Sequence, residues 1–507
     1  MTAQSRPVAY QAFGLFYGDI HNHCNMSYGH GPLEDALRNA RLQLDFVSVT
    51  IHAAWPDLPT DDPELGYLVD YHKEGFQKAL NNWSRYQEIT EANNEEGQFV
   101  TFPSFEWHSM KYGDHCIYYK DTHSGHIIDA PDLESLRDSL RQLDVASFAI
   151  PHHIGYKAGY RGINWDAFTD EISPVVEIFS FHGSSESSTG PYPYLHSMGP
   201  RNYRSTAQYG WSADNLFGVI GSTDHHNAHP GAYGYGRLAV WADALTRDGI
   251  WDAIRNRRTY ALTGDRIDLA FALNDHMMGD VAPAADERTI QVNVVGGDSI
   301  DYVEVLRNNE IIHRQDVFPQ SQTTGRYKVC IEMGWGERDT YTDWDVTLSV
   351  AEGQIISVEP RFRGIGPTEQ DAEGPFAFSE WAQQTPETVC LKTRTWKNES
   401  LHTANTESIC LEIEGSSETH ITAQVNGVPY QLSLADLMQG AQTFYFGGFV
   451  SPSICFHRAI PQSEYSTQFE LNDVHKDAPG RDWYTVRVRQ RNNQWAWSSP
   501  IWVEPAQ

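Results

Sequence analysis

The first half of the chain alternates short apolar, β-branched runs with stretches of helical periodicity. Leu15–Ile20 is an apolar run entering a polar turn, and Pro32–Leu44 places Leu33, Ala36, Leu37, Ala40 and Leu44 on one helical face. Asp45–Thr50 and Phe99–Phe105 read as strands, and Glu74–Glu96 and Leu133–Leu143 as helices. Val145–Ile150, Val175–Phe179 and Phe217–Ser222 complete the set of apolar runs. Strands alternating with helices imply a mainly parallel sheet. The expected architecture is α/β, a closed or partly closed β/α barrel.

After about Thr263 the pattern changes to short alternating runs. These are Ile290–Val295, Tyr302–Leu306, Tyr327–Ile331, Val346–Val350, Val389–Leu391, Ile409–Ile413 and Tyr484–Val488. Asn308-Asn309, between VEVLR and EIIH, has hairpin-turn chemistry. Dense Gly and Asn punctuation and few long helices point to an all-β, sandwich-like region. The expected division is residues 1–265 and 266–507.

Composition adds limits. A formal charge of -30 repels phosphate backbones, which makes a nucleic-acid polymer a poor partner. Bound divalent cations would still make one cleft electropositive, so a small anionic substrate stays open. The six cysteines form no CxxC pair and read as reduced thiols. Met1–Gly14 lacks a basic region followed by an apolar run, and no stretch is apolar long enough to span a bilayer. A cytoplasmic protein without membrane segments is expected, with a homo-oligomer open.

The chemistry lies where the strands end. His21 and His23 follow the first, His52 the second, Glu106 the third, and His152 and His153 the run ending at Ile150. Glu177 lies within VVEIF, with His182 just beyond it, and Asp224, His225 and His226 follow FGVIGS. His30 and His115 lie in adjoining segments. In β/α architectures the C-terminal strand ends converge on one face, where sites assemble. Imidazole and carboxylate are good ligands for zinc, manganese and iron. In His21-x-His23 and Asp224-x-His226, both side chains point the same way from an extended segment. One isolated histidine signals little; recurrence at successive strand ends signals a metal site. The ligands outnumber what one ion needs, so about two or three ions are expected, with Glu106 able to bridge a pair. Glu177, inside an apolar strand, needs a partner, either an ion or an Arg.

These residues resemble the polymerase and histidinol phosphatase (PHP) superfamily. The matching positions are His21-x-His23, His52, Glu106, His115, His152 and Asp224-x-His226, within about the first 265 residues. A closer likeness, spanning both halves, is to a PHP-like group of hydrolases of unknown function. It rests on YGDIHNHCNMSYGHG, VEIFSFHGSSE, GSTDHHNAHPG, RTYALTGDRI and the terminal YTVRVRQ...WAWSSPIW. The resemblance implies a distorted (β/α)7 TIM-like barrel with a trinuclear centre. It places His21, His23, Glu106 and Asp224 around one ion, His52, His226 and His30 around a second, and Glu106, His115 and His152 around a third. Two departures stand out: Ile51 precedes His52 where an Asp is common, and Tyr28-Gly29 replaces an acid after HxH, a role open to His30.

The implied activity is hydrolysis by hydroxide held at a di- or trinuclear site of Mn, Zn or Fe, on a small phosphoester. His182 or His153 is the candidate proton donor, and His182 is equally a residue that orients a ligand. Arg161, in a Gly- and Tyr-rich loop, is a candidate anion contact, with Lys157, Arg201 and Arg204 alongside. Tyr156, Tyr160, Trp165, Tyr192, Tyr194 and Tyr203 make these loops aromatic. Two alternatives remain: hydrolysis of a carboxylic ester, lactone or amide, and a metal-stabilised binding module without catalysis. A structural site is closed by protein ligands, whereas a catalytic site keeps an open position.

Overall fold

The structure is a computed structural model. It describes residues 6–193, 198–320, 322–337, 339–395, 405–476 and 480–505; Tyr194 lies outside them.

The first half is mixed α/β. Its strands are β1 (Gly14–Asp19), β2 (Phe46–Val47), β3 (Ile51–Ala54), β4 (Val100–Thr101), β5 (Ser104–Trp107), β6 (His115–Tyr119), β7 (Ser147–Pro151) and β8 (Val175–Ser180). Then come β9 (Gly183–Ser184), β10 (Gly218–Gly221), β11 (Arg237–Ala242) and β12 (Thr259–Leu262). The helices between them are α1 (Leu33–Gln43), α2 (Gly66–Ala92), α3 (Leu133–Arg141), α4 (Ala207–Ser212) and α5 (Arg247–Arg255). In α1 the residues Leu33, Ala36, Leu37 and Ala40 are buried, as the periodicity requires. α3 starts where the Asp132 side chain accepts from the Ser135 N–H at 2.8 Å, and α5 where Thr246 caps Gly249.

The ladders of the described residues show no closed (β/α)7 ring. Among the described residues their ladders fall into separate sheets: β3-β5-β6-β7, β10-β8-β9, and a larger sheet holding β4, β2, β1, β11 and β12. The breaks have local causes. β2 and β4 are two residues long, and the chain restarts as β3 and β5 in another sheet. β6 runs antiparallel to both β5 and β7, so the sheet is not uniformly parallel. Between β7 and β8 a 3-10 turn, Trp165–Ala167, stands where a crossover helix was expected.

The second half is β-rich. A six-stranded sheet containing Thr324–Trp335 and Thr406–Ser416 faces a five-stranded sheet containing Thr342–Ala351 and Thr388–Thr395. Val329, Ile331, Leu411 and Ile413 meet Val346, Leu348, Val389 and Leu391 in one core. Alternating burial along Thr324–Trp335 gives the sheet one dry and one wetter face. Asn308 and Asn309 take φ of +52° and +69°, the left-handed pair that a two-residue hairpin demands. The eleven-stranded sheet crosses position 265: β12 pairs with Trp495–Ser498, and Asp482–Gln490 and Ile501–Val503 extend it. No helix among the described residues is long and apolar enough to cross a membrane.

Candidate metal centre

The ends of β1 and β10 continue side by side past their ladders. Asn22 bridges His225, the His23 N–H donates to the His225 carbonyl at 2.6 Å, and the Asp224 N–H donates to the His21 carbonyl at 2.7 Å. A buried carboxylate ties this junction: Asp19 accepts from the Thr223 hydroxyl at 2.5 Å and from the Gly231 N–H at 2.8 Å. The two segments therefore present their alternating side chains to one point. His21 Nε2 and His23 Nε2 lie 3.2 Å apart, and Asp224 Oδ1 is 3.3 Å from the first and 3.0 Å from the second. Asp224 has φ +54° and His153 φ +33°. Such backbone persists in non-glycine residues only where the surroundings enforce it.

Glu106, on β5, sits between two groups of histidines. Its Oε2 is 3.3 Å from His52 Nε2 and 3.7 Å from His23 Nε2; its Oε1 is 2.9 Å from His152 Nε2 and 3.2 Å from His108 Nδ1. Donor atoms of His23, His52 and His226 come within 4.8 Å of one another, as do those of Glu106, Asp114, His152 and His153. The same holds for His21, His23 and Glu106, and for His21, Cys116 and His152.

Two expected ligands stand elsewhere. His115 is buried, but Glu106 pairs with Cys116 across β5 and β6, and side chains alternate along a strand. Cys116 therefore shares the Glu106 side, and His115 turns away, its Nδ1 2.8 Å from the Gly113 carbonyl. His30 is half-exposed on the pocket rim, its N–H donating to the His226 carbonyl at 2.7 Å, and it joins none of these groups. His108, Asp114 and Cys116 were not anticipated. A strand reading of FPSFEWH contained the signal, because Glu106 and His108 share an i, i+2 face.

Contacts around the cluster fix its rings. Glu177 Oε2 is 2.8 Å from His21 Nδ1, so the acid inside β8 has an imidazole partner. His23 Nδ1 donates to the Thr50 carbonyl at 2.8 Å, which leaves Nε2 as the free lone pair. His182 uses both nitrogens, Nδ1 with the Tyr156 hydroxyl at 3.1 Å and Nε2 with Asp224 Oδ2 at 2.9 Å. Arg161 binds Asp114 through Nε at 2.7 Å and through a second, very short contact, and lies over the Trp55 ring.

Charge is concentrated by this packing. Burial disfavours the charged form of both Asp224 and His21, but His21, His182 and His23 outweigh it at Asp224, and Cys116, Asp224 and Glu177 outweigh it at His21. Asp224 is held well below the usual carboxylate range and His21 well above the usual histidine range. Burial lowers His52 far below that range, with His23, His226 and His108 adding repulsion, and brings His226 down to about 3. Burial raises Glu106 well above the usual range and Glu177 to about 7.

The donor set fits divalent cations. Ligand bonds of about 2.0–2.2 Å separate neighbouring donors by roughly 3.0–3.5 Å, the range of the Asp224, His21, His23 and Glu106 contacts. Buried polar atoms at the site also lack aligned hydrogen bonds: both nitrogens of His152, Nε2 of His108, Nδ1 of His153, Oε2 of Glu106 and Oε1 of Glu177. Leaving so many unpaired would be costly without an ion or water to satisfy them. Glu106, His152 and His153, with His52 and Asp224, line a cavity of about 250 Å³ whose walls include Tyr28, Tyr71, Phe181, Met198 and Arg161. Thr368, Glu369 and Gln370 of the second half close one side. Asn227 ties that segment down by donating to the Gly366 and Glu369 carbonyls, and the His226 N–H donates to Pro367 at 3.0 Å.

Comparison with known proteins adds kinship but little chemistry. A family model described as "Protein of unknown function (DUF3604)" matches residues 232–293. An uncharacterized protein of Chlamydia pneumoniae is 27% identical over 285 residues, 52% of this chain and 45% of the relative. One from Chlamydia trachomatis is 28% identical over 188 residues, 34% of this chain and 29% of the relative. The matched segments thus span less than half of each relative's length. Among solved structures, a two-domain protein of Bacteroides vulgatus, described as containing a predicted PHP-like metal-dependent phosphoesterase, aligns with 85% of this chain and 99% of its own. The TM-score is 0.33 and the identity 14%, too distant a match to transfer an activity.

Proposed function

We propose that the chain is a metal-dependent hydrolase acting on a small phosphoester. The observation that carries this reading is the convergence of His21, His23, His52, Glu106, His152 and Asp224 beneath an open cavity, with Glu106 Oε2 and both His152 nitrogens left without a hydrogen-bond partner. His21, His23 and Asp224 would hold one divalent ion, His52 and His226 a second, with Glu106 shared, and Asp114 and His152 would complete a third position. Ions bound there would lower the pKa of a water and neutralise charge building on a phosphoryl oxygen. The site opens to the cavity, as catalysis needs and a purely structural metal site does not.

The chain's own groups divide the remaining work. His182 spans Tyr156 and Asp224, so it orients the Asp224 carboxylate. His153 lines the cavity and its Nδ1 has no hydrogen-bond partner, which makes it the proton donor for the leaving group. Arg161 also lines the cavity, with its charge shared by Asp114. It positions a substrate oxygen through whichever donors Asp114 leaves free.

One observation favours a second reading, a carboxylic ester, lactone or amide. Arg161 is the only Lys or Arg among the described cavity-lining residues, and Asp114 already pairs with it. Turnover of an aryl phosphate against the matching aryl ester separates the two, using protein loaded with manganese, zinc or iron. The phosphoester reading expects phosphate release that Asp224→Asn abolishes; ester turnover alone would overturn it in favour of the second.

A further inference from the structure

A second cluster of reactive side chains lies far along the chain from the metal centre, on the β-rich half. Pro452–Phe456 runs between Thr324–Trp335 and Gln442–Tyr445. Ile454 and Phe456 enter the sandwich core, so Cys455 between them points to the opposite face. Across the ladder Cys455 stands opposite Glu332 on one side and Thr443 on the other. His457, two residues on, continues the same face and is tethered by its N–H to the Cys330 carbonyl at 2.9 Å.

The three functional groups connect. His457 Nε2 is 2.8 Å from Glu332 Oε2, and Cys455 stands opposite that same Glu332 in the ladder, two residues before His457. The Thr406 hydroxyl donates to the other Glu332 oxygen at 2.6 Å, which fixes the carboxylate. This is the order of a nucleophile, its base and the group that orients the base. His457 is partly exposed, its side chain 43% accessible, so small molecules reach the edge of the cluster.

We infer that Cys455, His457 and Glu332 form a reactive-thiol site whose co-reactant is a small two-electron oxidant of the peroxide class. In the reaction the Cys455 thiolate attacks one peroxide oxygen, and the S–O bond forms as the O–O bond breaks. Sulfur is oxidised by two electrons to sulfenic acid and the peroxide is reduced. The departing hydroxide takes the proton from His457 and leaves as water. The electrostatics agree with the geometry. Cys455 and Glu332 beside it raise His457 to about 10, and burial, which would raise the Cys455 thiol, is outweighed by His457 and Thr443, which lower it. Burial instead pushes Cys24, Cys116 and Cys410 up to about 12. Cys390, half-buried, lies 3.6 Å from the Thr347 hydroxyl and serves as the internal comparison.

The test treats the full-length chain with substoichiometric hydrogen peroxide, traps sulfenic acid with a dione probe and maps the labelled cysteine by mass spectrometry. Cys455 should be labelled at least tenfold faster than Cys390, and Cys455→Ser should remove the fast phase while Cys390→Ser keeps it. His457→Asn should slow labelling at least tenfold and shift the pH at which thiolate absorbance appears. That titration is shared with Glu332 and with Arg363, whose charge also acts on Glu332. Labelling of Cys390 as fast as Cys455 overturns the inference. So does an unchanged rate in a His457→Asn variant whose thermal unfolding matches the parent.

Discussion

The half that carries the candidate metal centre and the β-rich half solve opposite problems. In the sandwich, side chains of Thr324–Trp335 alternate between core and a wetter face, and the buried face is hydrocarbon. In the first half β3, β5, β8 and β10 are buried on both faces, and polar groups are gathered at their ends. The sandwich core is hydrocarbon, and its backbone polar groups are paired in the ladders. The strand ends carry carboxylates and imidazoles whose lone pairs the protein itself does not satisfy. Function sits where folding by itself would be penalised.

The sharpest way to break this comparison is to remove the ligands. Asp224→Asn should abolish hydrolysis and release metal while leaving the second-half fold intact, read by activity and by metal content. Next comes a cavity in the sandwich: Ile331→Ala or Leu411→Ala should cost about 2–5 kcal/mol of stability in chemical unfolding, with metal content of the folded protein unchanged. Equal metal loss in both kinds of variant would mean that the halves do not divide the work as described.

Smaller effects sharpen the picture. Glu177→Gln removes the charged contact to His21 and should weaken metal affinity roughly 10–100-fold, measured by competition with a chelator. Glu407, buried in the second half, accepts from the Arg363 and Gly364 N–H groups, yet burial raises its pKa to about 7. A carboxyl raised on folding favours the folded state while protonated. Its contribution should therefore weaken as pH rises from about 4.5 to about 7. Glu407→Gln should flatten that part of the stability profile by on the order of 1–3 kcal/mol. Asn227→Ala, which frees the Gly366–Glu369 segment, should raise KM modestly, by about 1 kcal/mol in binding, and leave metal in place.

Much of this division was legible in the residues. The Asn308-Asn309 turn reflects a local rule of turn chemistry and stands in the structure; the change of pattern near Thr263 marks where helices thin out, while the eleven-stranded sheet runs across it; and the i, i+2 spacing of the HxH and DxH pairs is what lets His21, His23 and Asp224 meet. What pattern could not give was long-range registration. Whether His115 or Cys116 faces Glu106 depends on the antiparallel pairing of β5 and β6, a tertiary fact. The same holds for Thr368–Gln370, which reaches the cavity from more than a hundred residues beyond β12. The described ladders show no closed barrel for a related reason. Apolar runs mark where strands lie but not where a ladder breaks, as it does between β2 and β3.

The most direct test of the central claim is the metal content of protein purified without chelator, compared with a His21→Ala, His23→Ala double variant. The account predicts about two or three divalent transition-metal ions per chain in the parent and a clear loss in the variant. A parent chain with near-zero metal that also fails to take up manganese, zinc or iron would contradict it.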